Sequence, residues 1–259
     1  MRVCFVSDLH VDHMGQPNVD WPEADVLIIA GDTANSLGRV AKTLRSVDRK
    51  KIYQKVFLVD GNHEHYSNAT SERTLEKTLR RLEELSAPYA TFLPAWNYVS
   101  HGGYHFVGRN GWYSCDYSGD PVVNRAEWPS ILNDDHWCGF TAQEAFMPWH
   151  LAEQHAGQIE SILDEIVAAD PAAKIVVVTH TSPCVETLSR WPEHLDTNCY
   201  YINCNMTRVL EKHSRNIVVW HHGHTHMRSM PEVSGVPVVC NPRGYPGENT
   251  SWKPVVLEI

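Results

Sequence analysis

An α/β fold with parallel central strands is predicted from three features of the 259-residue sequence. Short apolar, β-branched runs recur along the chain. Segments with apolar residues at three- and four-residue spacing separate them. Five of the runs end abruptly in a polar cluster. Continuous apolar strands are those buried on both faces, as in a parallel sheet covered by helices.

In chain order, the runs RVCFV (2–6), DVLIIA (25–30), KVFLV (55–59), KIVVV (174–178) and NIVVW (216–220) read as buried strands. Helical periodicity marks 37–50, 71–86 and 153–169, and Ser71 followed by an acid reads as a helix start. YHFVGRN (104–110), VPVVCN (236–241) and KPVVLEI (253–259) also read as strands. They follow turns rather than long helices, so antiparallel pairing that extends the sheet into a second layer is expected for them. Between 111 and 150 lies a segment rich in tryptophan and acids with poor periodicity, read as an insertion in a single domain spanning 1–259. Disorder is expected at most near 12–20 and 245–251.

Composition narrows the function classes. A hydrophobic fraction of 42% and a charged fraction of 20% are ordinary for a globular chain. With a formal charge of -9 and one short basic run, RKK at 49–51, a broad nucleic-acid or anionic-membrane surface is not expected. No stretch approaches the roughly 18 apolar residues of a membrane span. The amino-terminal run ends in acid and histidine, unlike a signal peptide, and the seven scattered cysteines contain no CxxC pair. Both features suit reduced thiols and a cytoplasmic location.

Each of the five strands is followed at once by residues of metal-ligand type. These are Asp8 and His10, then Asp32, then Asn62 and His63, then His180, then His224 and His226 within HHGHTH. The carboxyl ends of parallel strands line one crevice, so these residues can meet although they are far apart in sequence. Gly31, Gly61 and Gly223 stand where the chain must turn or approach a metal closely. The set holds two carboxylates, an amide oxygen and at least four imidazoles. That exceeds the roughly four ligands of one tetrahedral zinc and fits two ions sharing a carboxylate. Mixed oxygen and nitrogen donors without thiolate suit Mn, Fe, Zn, Ni or Co alike.

The series D8-x-H10, G31-D32, G61-N62-H63-E64, H180 and G223-H224-T225-H226 resembles the calcineurin-like metallophosphoesterase superfamily over nearly the whole chain. The resemblance implies a four-layer αββα sandwich with two mixed sheets. It also implies that Asp8, His10, Asp32 and His226 hold one divalent ion, and that Asp32 bridges to a second held also by Asn62, His180 and His224. His63 matches the family's catalytic histidine beside the leaving group. Glu64 either orients His63 or caps the following turn, whereas His221, His222 and His65 match no ligand position. The implied chemistry is in-line attack on phosphorus by a water activated between the ions, at a centre of about +1 that attracts phosphate.

Within that resemblance, TANSLG after Asp32 lacks the Asp-Arg-Gly element of Ser/Thr protein phosphatases, and Asn35 replaces the tyrosine ligand of purple acid phosphatases. A small phosphorylated substrate is therefore expected. Trp112, Tyr113, Tyr117, Trp128, Trp137 and Trp149 suggest an aromatic wall at the site, suited to a phosphodiester or nucleotide-like compound. Arg243 is a candidate for gripping a phosphate oxygen, with a salt bridge to a surface acid as its other reading. A phosphomonoesterase is the alternative, and a non-catalytic scaffold of the same fold the rival from another class. Neither a G-x-S-x-G elbow nor a Walker loop is present.

Overall fold

The computed structural model describes residues 1–66, 74–93, 97–132, 134, 138, 147–190 and 195–259. Two sheets face each other. The first has the order β11-β1-β2-β3-β4, with β1 (Arg2–Val6), β2 (Val26–Ala30), β3 (Lys55–Val59) and β4 (Thr91–Phe92) parallel and β11 (Val255–Glu258) antiparallel to β1. The second has the order β5-β6-β7-β8-β10-β9 and is built from β5 (Val99–His101), β6 (Tyr104–Arg109), β7 (Ile175–Thr179), β8 (Ile217–His222), β9 (Glu232–Val233) and β10 (Val236–Cys240).

Alternation along the strands creates four layers. In β1, Val3 and Phe5 face a core shared between the sheets with Phe57, Phe106, Val178 and Val239, while Cys4 and Val6 face the opposite way. There they pack under α2 (Leu37–Asp48) and α3 (Leu75–Ser86). On the far side, Val177 and Trp220 pack against α5 (Pro148–Ala169) and α6 (Cys204–Lys212). The described residues also form α1 (Val11–Met14) and α4 (Pro121–Ile131). No helix among the described residues is long and apolar enough to cross a membrane.

Local chemistry sets several boundaries. Thr74 caps α3 by accepting from the Lys77 N–H, so the helix begins at Leu75; the proposed start at Ser71 lies outside the described residues. Pro148 sits in the first turn of α5, which begins five residues before the periodic segment, where the fixed φ of proline favours helix. Asp120 accepts from the Val122 N–H to open α4, a helix that the poor periodicity of this stretch hides.

The expected antiparallel placing of 104–110 and 236–241 is corrected. β6 is parallel to β7, with α5 as the crossover, and β10 is parallel to β8. Each is antiparallel only to a short strand just before it, β5 and β9 respectively. Ser234 and Gly235, both at positive φ, form the two-residue turn between β9 and β10. The direction of β10 is thus set by an intervening reversal. β11 is antiparallel, as its sequence position suggests.

Candidate metal centre

The carboxyl ends of β1, β2 and β3 in one sheet and of β7 and β8 in the other meet at one edge of the sandwich. Each strand runs out into a sharp bend. Asp8, His10, Asp32, His224 and His226 all have φ between 40° and 66°, the left-handed region that costs an L-residue about 1 to 3 kcal/mol. Buried packing enforces these bends. Gly61 and Gly223 have no positive φ; they are required by space. A Cβ on Gly61 would strike the Asp32 carboxylate, and one on Gly223 would lie 2.5 Å from Asp8 Oδ2. Gly31 needs both freedoms, with φ +79° and the His180 ring against its α-carbon.

Among the described residues two sets of side chains could each hold a metal ion, Asp8, His10, Asp32 and His226 in one and Asp32, His180 and His224 in the other, with Asp32 common to both. Within each set the ligand atoms lie within 4.8 Å of one another. Asn62 Oδ1 joins the second set, 3.1 Å from His180 Nε2.

Hydrogen bonds fix which ring nitrogen faces inward. His180 Nδ1 donates to the Ala30 carbonyl at 2.8 Å, leaving Nε2 toward Asp32 Oδ2 at 3.3 Å. His224 Nε2 donates to the Tyr200 carbonyl, leaving Nδ1 as the free lone pair. His226 Nδ1 bonds to Glu248 at 2.7 Å, and its Nε2 faces Asp8 and lies 3.0 Å from His10 Nε2. An imidazole whose outer nitrogen is tied to a carbonyl or carboxylate is oriented for metal binding.

Electrostatics agree with a cation-binding role. Asp8 Oδ2 is buried without a hydrogen-bond partner among the described residues. Burial pushes the Asp8 and Asp32 carboxyls up, but neighbouring histidines outweigh it and hold both below the ordinary range. Conversely, burial pulls on His180 and His226, yet Asp32 lifts the first to about 10 and Asp8 with Glu248 the second to about 10. The carboxylates thus hold protons on two imidazoles, where divalent cations would take over the same attraction. Burial, helped by the neighbouring His63 and His226 against the pull of Asp32 and Asp8, takes His10 down to about 3. The donor set fits a pair of divalent ions.

His63 touches this cluster without joining it. Its Nδ1 donates to Asn35 Oδ1 at 2.8 Å, its Nε2 accepts from the Tyr245 hydroxyl at 2.9 Å, and its ring stacks on Tyr66. Glu64 does neither of the things expected of it. Its carboxylate accepts backbone N–H groups from Gly61, Asp32, Thr33 and Ala34, stitching the β2 and β3 exits together. Burial and the Asp32 charge push its pKa up to about 8 against the pull of those donors. The three histidines that match no ligand position bond to groups outside both sets. His221 lies 3.0 Å from the carbonyls of both Val6 and Val239, His222 bonds the Gly223 carbonyl, and His65 bonds Asp60.

The sequence profile of the calcineurin-like phosphoesterases matches residues 1–228. The chain belongs to that family. It is 21% identical to a protein of Acanthamoeba polyphaga mimivirus over 98% of this chain and 95% of that one. Among solved structures it resembles a phosphopantetheinyl hydrolase of Mycobacterium tuberculosis, with a TM-score of 0.74 at 19% identity, covering 99% of this chain and 95% of that one. A putative 5'-nucleotidase of Staphylococcus aureus gives a TM-score of 0.51 at 18% identity, all of this chain matching 51% of that one. These likenesses establish the αββα fold, as the layers and sheet orders do.

Above the cluster opens a cavity of about 520 Å³, reached by Asp32, Asn62, His63, His224 and His226. Its aromatic wall is made by Tyr66, Tyr201 and Tyr245, which corrects the expectation of tryptophans there. Trp112 and Trp128 are buried in a cluster with Tyr113 and Cys199, Trp149 packs against it, and Tyr117 joins it half-buried. Trp137 lies outside the described residues. The 111–150 segment reaches the cavity through Ile131, Leu132 and Asp134.

Arg243 is also corrected. Its guanidinium donates to the carbonyls of Leu9, Met14 and Gly15, which clamps the loop after β1, and Arg243 is not among the described residues that line the cavity. Residues 245–251, one of the two stretches where disorder is expected at most, include residues tied to the site. Glu248 bonds His226 and the Tyr245 N–H, and Asn249 donates to the His226 carbonyl. Tyr245, Glu248 and Asp134 were not singled out from the sequence.

Proposed function

We propose that the chain is a binuclear metal-dependent phosphoesterase acting on a small phosphate ester, with a phosphodiester or nucleotide-like compound as substrate. The observation that carries this reading is the pair of ligand sets sharing Asp32 at the floor of the cavity. Asp8, His10, Asp32 and His226 would hold one divalent ion, and Asp32, Asn62, His180 and His224 the other. Such ions supply an activated water at neutral pH and Lewis-acid stabilisation of the phosphoryl oxygens.

The protein's own groups do the rest. His63, off both sets, faces the cavity where a leaving group would depart, and in its imidazolium form it can release a proton from Nε2. The tyrosine wall offers flat apolar faces to an organic ester group. Asp134 and Glu248 also line the cavity, and their charges repel a monoester dianion more than a diester monoanion. That supports the diester over the monoester.

The test is kcat/KM for bis(nitrophenyl) phosphate, cyclic nucleotides and simple monoesters on one preparation supplied in turn with Mn, Ni, Zn and Fe. Diesters are expected to lead. A clear preference for monoesters overturns the diester assignment, and no hydrolysis with any metal overturns the phosphoesterase.

A further inference from the structure

Among the described residues of the 111–150 segment, one buried acid, Asp134, contacts the Asn62 amide of the proposed second ion site. Asp134 is almost fully buried, and its partners among the described residues are donors. Its Oδ1 accepts from Asn62 Nδ2 at 3.0 Å and from the Tyr66 hydroxyl at 2.7 Å. Its Oδ2 accepts from the Tyr113 hydroxyl at 2.7 Å.

Proton directions in this network follow from the groups themselves. Indole N–H can only donate, so at Trp128 Nε1, 2.6 Å from Tyr113, the tyrosine oxygen is the acceptor. Its own hydrogen then points to Asp134. The Asn62 NH2 group donates once to Asp134 and once to the Tyr66 oxygen at 3.2 Å, which uses both of its hydrogens. Only one orientation of the Asn62 amide satisfies these partners, and it turns Oδ1 toward His180. The reverse flip would set a carbonyl oxygen against a carboxylate and aim an NH2 group at the metal ligands.

We propose that Asp134 is a positioning residue that locks the Asn62 amide with its oxygen toward the His180 set, so that holding the second ion depends on the Trp128–Tyr113–Asp134 relay from the 111–150 segment. This rests on the reading of Asn62 as a ligand in a two-ion site. The relay runs from a buried tryptophan in α4 to a ligand carried by β3, from parts of the chain that share no sheet.

The test uses the full chain, freed of metal and titrated with Mn(II), reading each ion's affinity by calorimetry beside the melting temperature of the metal-free protein. Asp134→Asn should weaken the second ion by about 10- to 100-fold, the range for outer partners of metal ligands. The first ion's affinity should stay as in wild type. The double substitution Asn62→Asp with Asp134→Asn should restore the second ion. An amide at 134 can donate to a carboxylate at 62 and still accept from Tyr113, so the pair remains fully satisfied. This swap also decides the matter if the single variant does not fold. Wild-type affinity for both ions in Asp134→Asn overturns the proposal, as does failure of the swap to restore the second ion. Equal loss of both ions together with a lowered melting temperature does the same, since it marks Asp134 as structural. Should wild-type protein itself take up a single ion, the two-ion reading fails instead, so the two failures are separable.

Discussion

Asp32→Asn is expected to reduce turnover by well over 100-fold and to lower the metal content of the purified protein. Asp32 is the one side chain common to both ligand sets, with Oδ2 3.3 Å from His180 Nε2 and 3.8 Å from His10 Nε2. The substitution keeps the volume and removes the charge. Substituting outer partners of metal ligands alone costs about 10- to 100-fold, and a shared inner carboxylate should exceed that. The backbone around it should survive, because Glu64 holds the main-chain N–H groups of residues 32 to 34 independently of the Asp32 side chain. Kinetics and elemental analysis on the same sample check the result. An Asp32→Asn protein with full metal content and near-normal kcat contradicts the bridge.

His63→Ala is expected to leave the metal content unchanged and to lower kcat by about 10²- to 10⁴-fold, the range for general acid catalysis. Its ring belongs to neither ligand set, and the contact that its backbone N–H makes with Asp32 Oδ1 at 2.9 Å survives the substitution. Nδ1 donates to Asn35, so delivering a proton from Nε2 requires the imidazolium form. Burial lowers the His63 pKa and opposes that form, whereas the charges of Asp32 and Asp134 favour it. The loss should be greatest for alkyl leaving groups, which need a proton, and least for nitrophenolate, which does not. Equal losses for both types, or loss of metal, contradict the acid role.

The chemistry at the strand ends was legible because two signals coincide there. A continuous apolar run marks a strand buried on both faces, and the polar residues just beyond it must lie at the sheet's rim. Asp8, Asp32, Asn62, His180 and His224 are all of this kind. The direction of β6 and β10 was not legible, because it depends on reversals made by two- and three-residue strands too short to show a pattern. α4 escaped notice since Val122, Val123 and Ile131 are exposed and Pro129 stands near its end, so its apolar residues do not mark a buried face. Tyr245, Asp134 and Glu248 act through hydrogen bonds spanning 182, 72 and 22 residues of chain. Local periodicity carries no trace of such contacts.

The central claim is that the two ligand sets hold two ions at once. Metal content per chain, measured by elemental analysis on protein loaded to maximal activity and freed of loosely held ions, tests it most directly. The account predicts two transition-metal ions per chain, with activity rising until the second is bound. One ion per chain at full activity, with no gain on adding more, contradicts it.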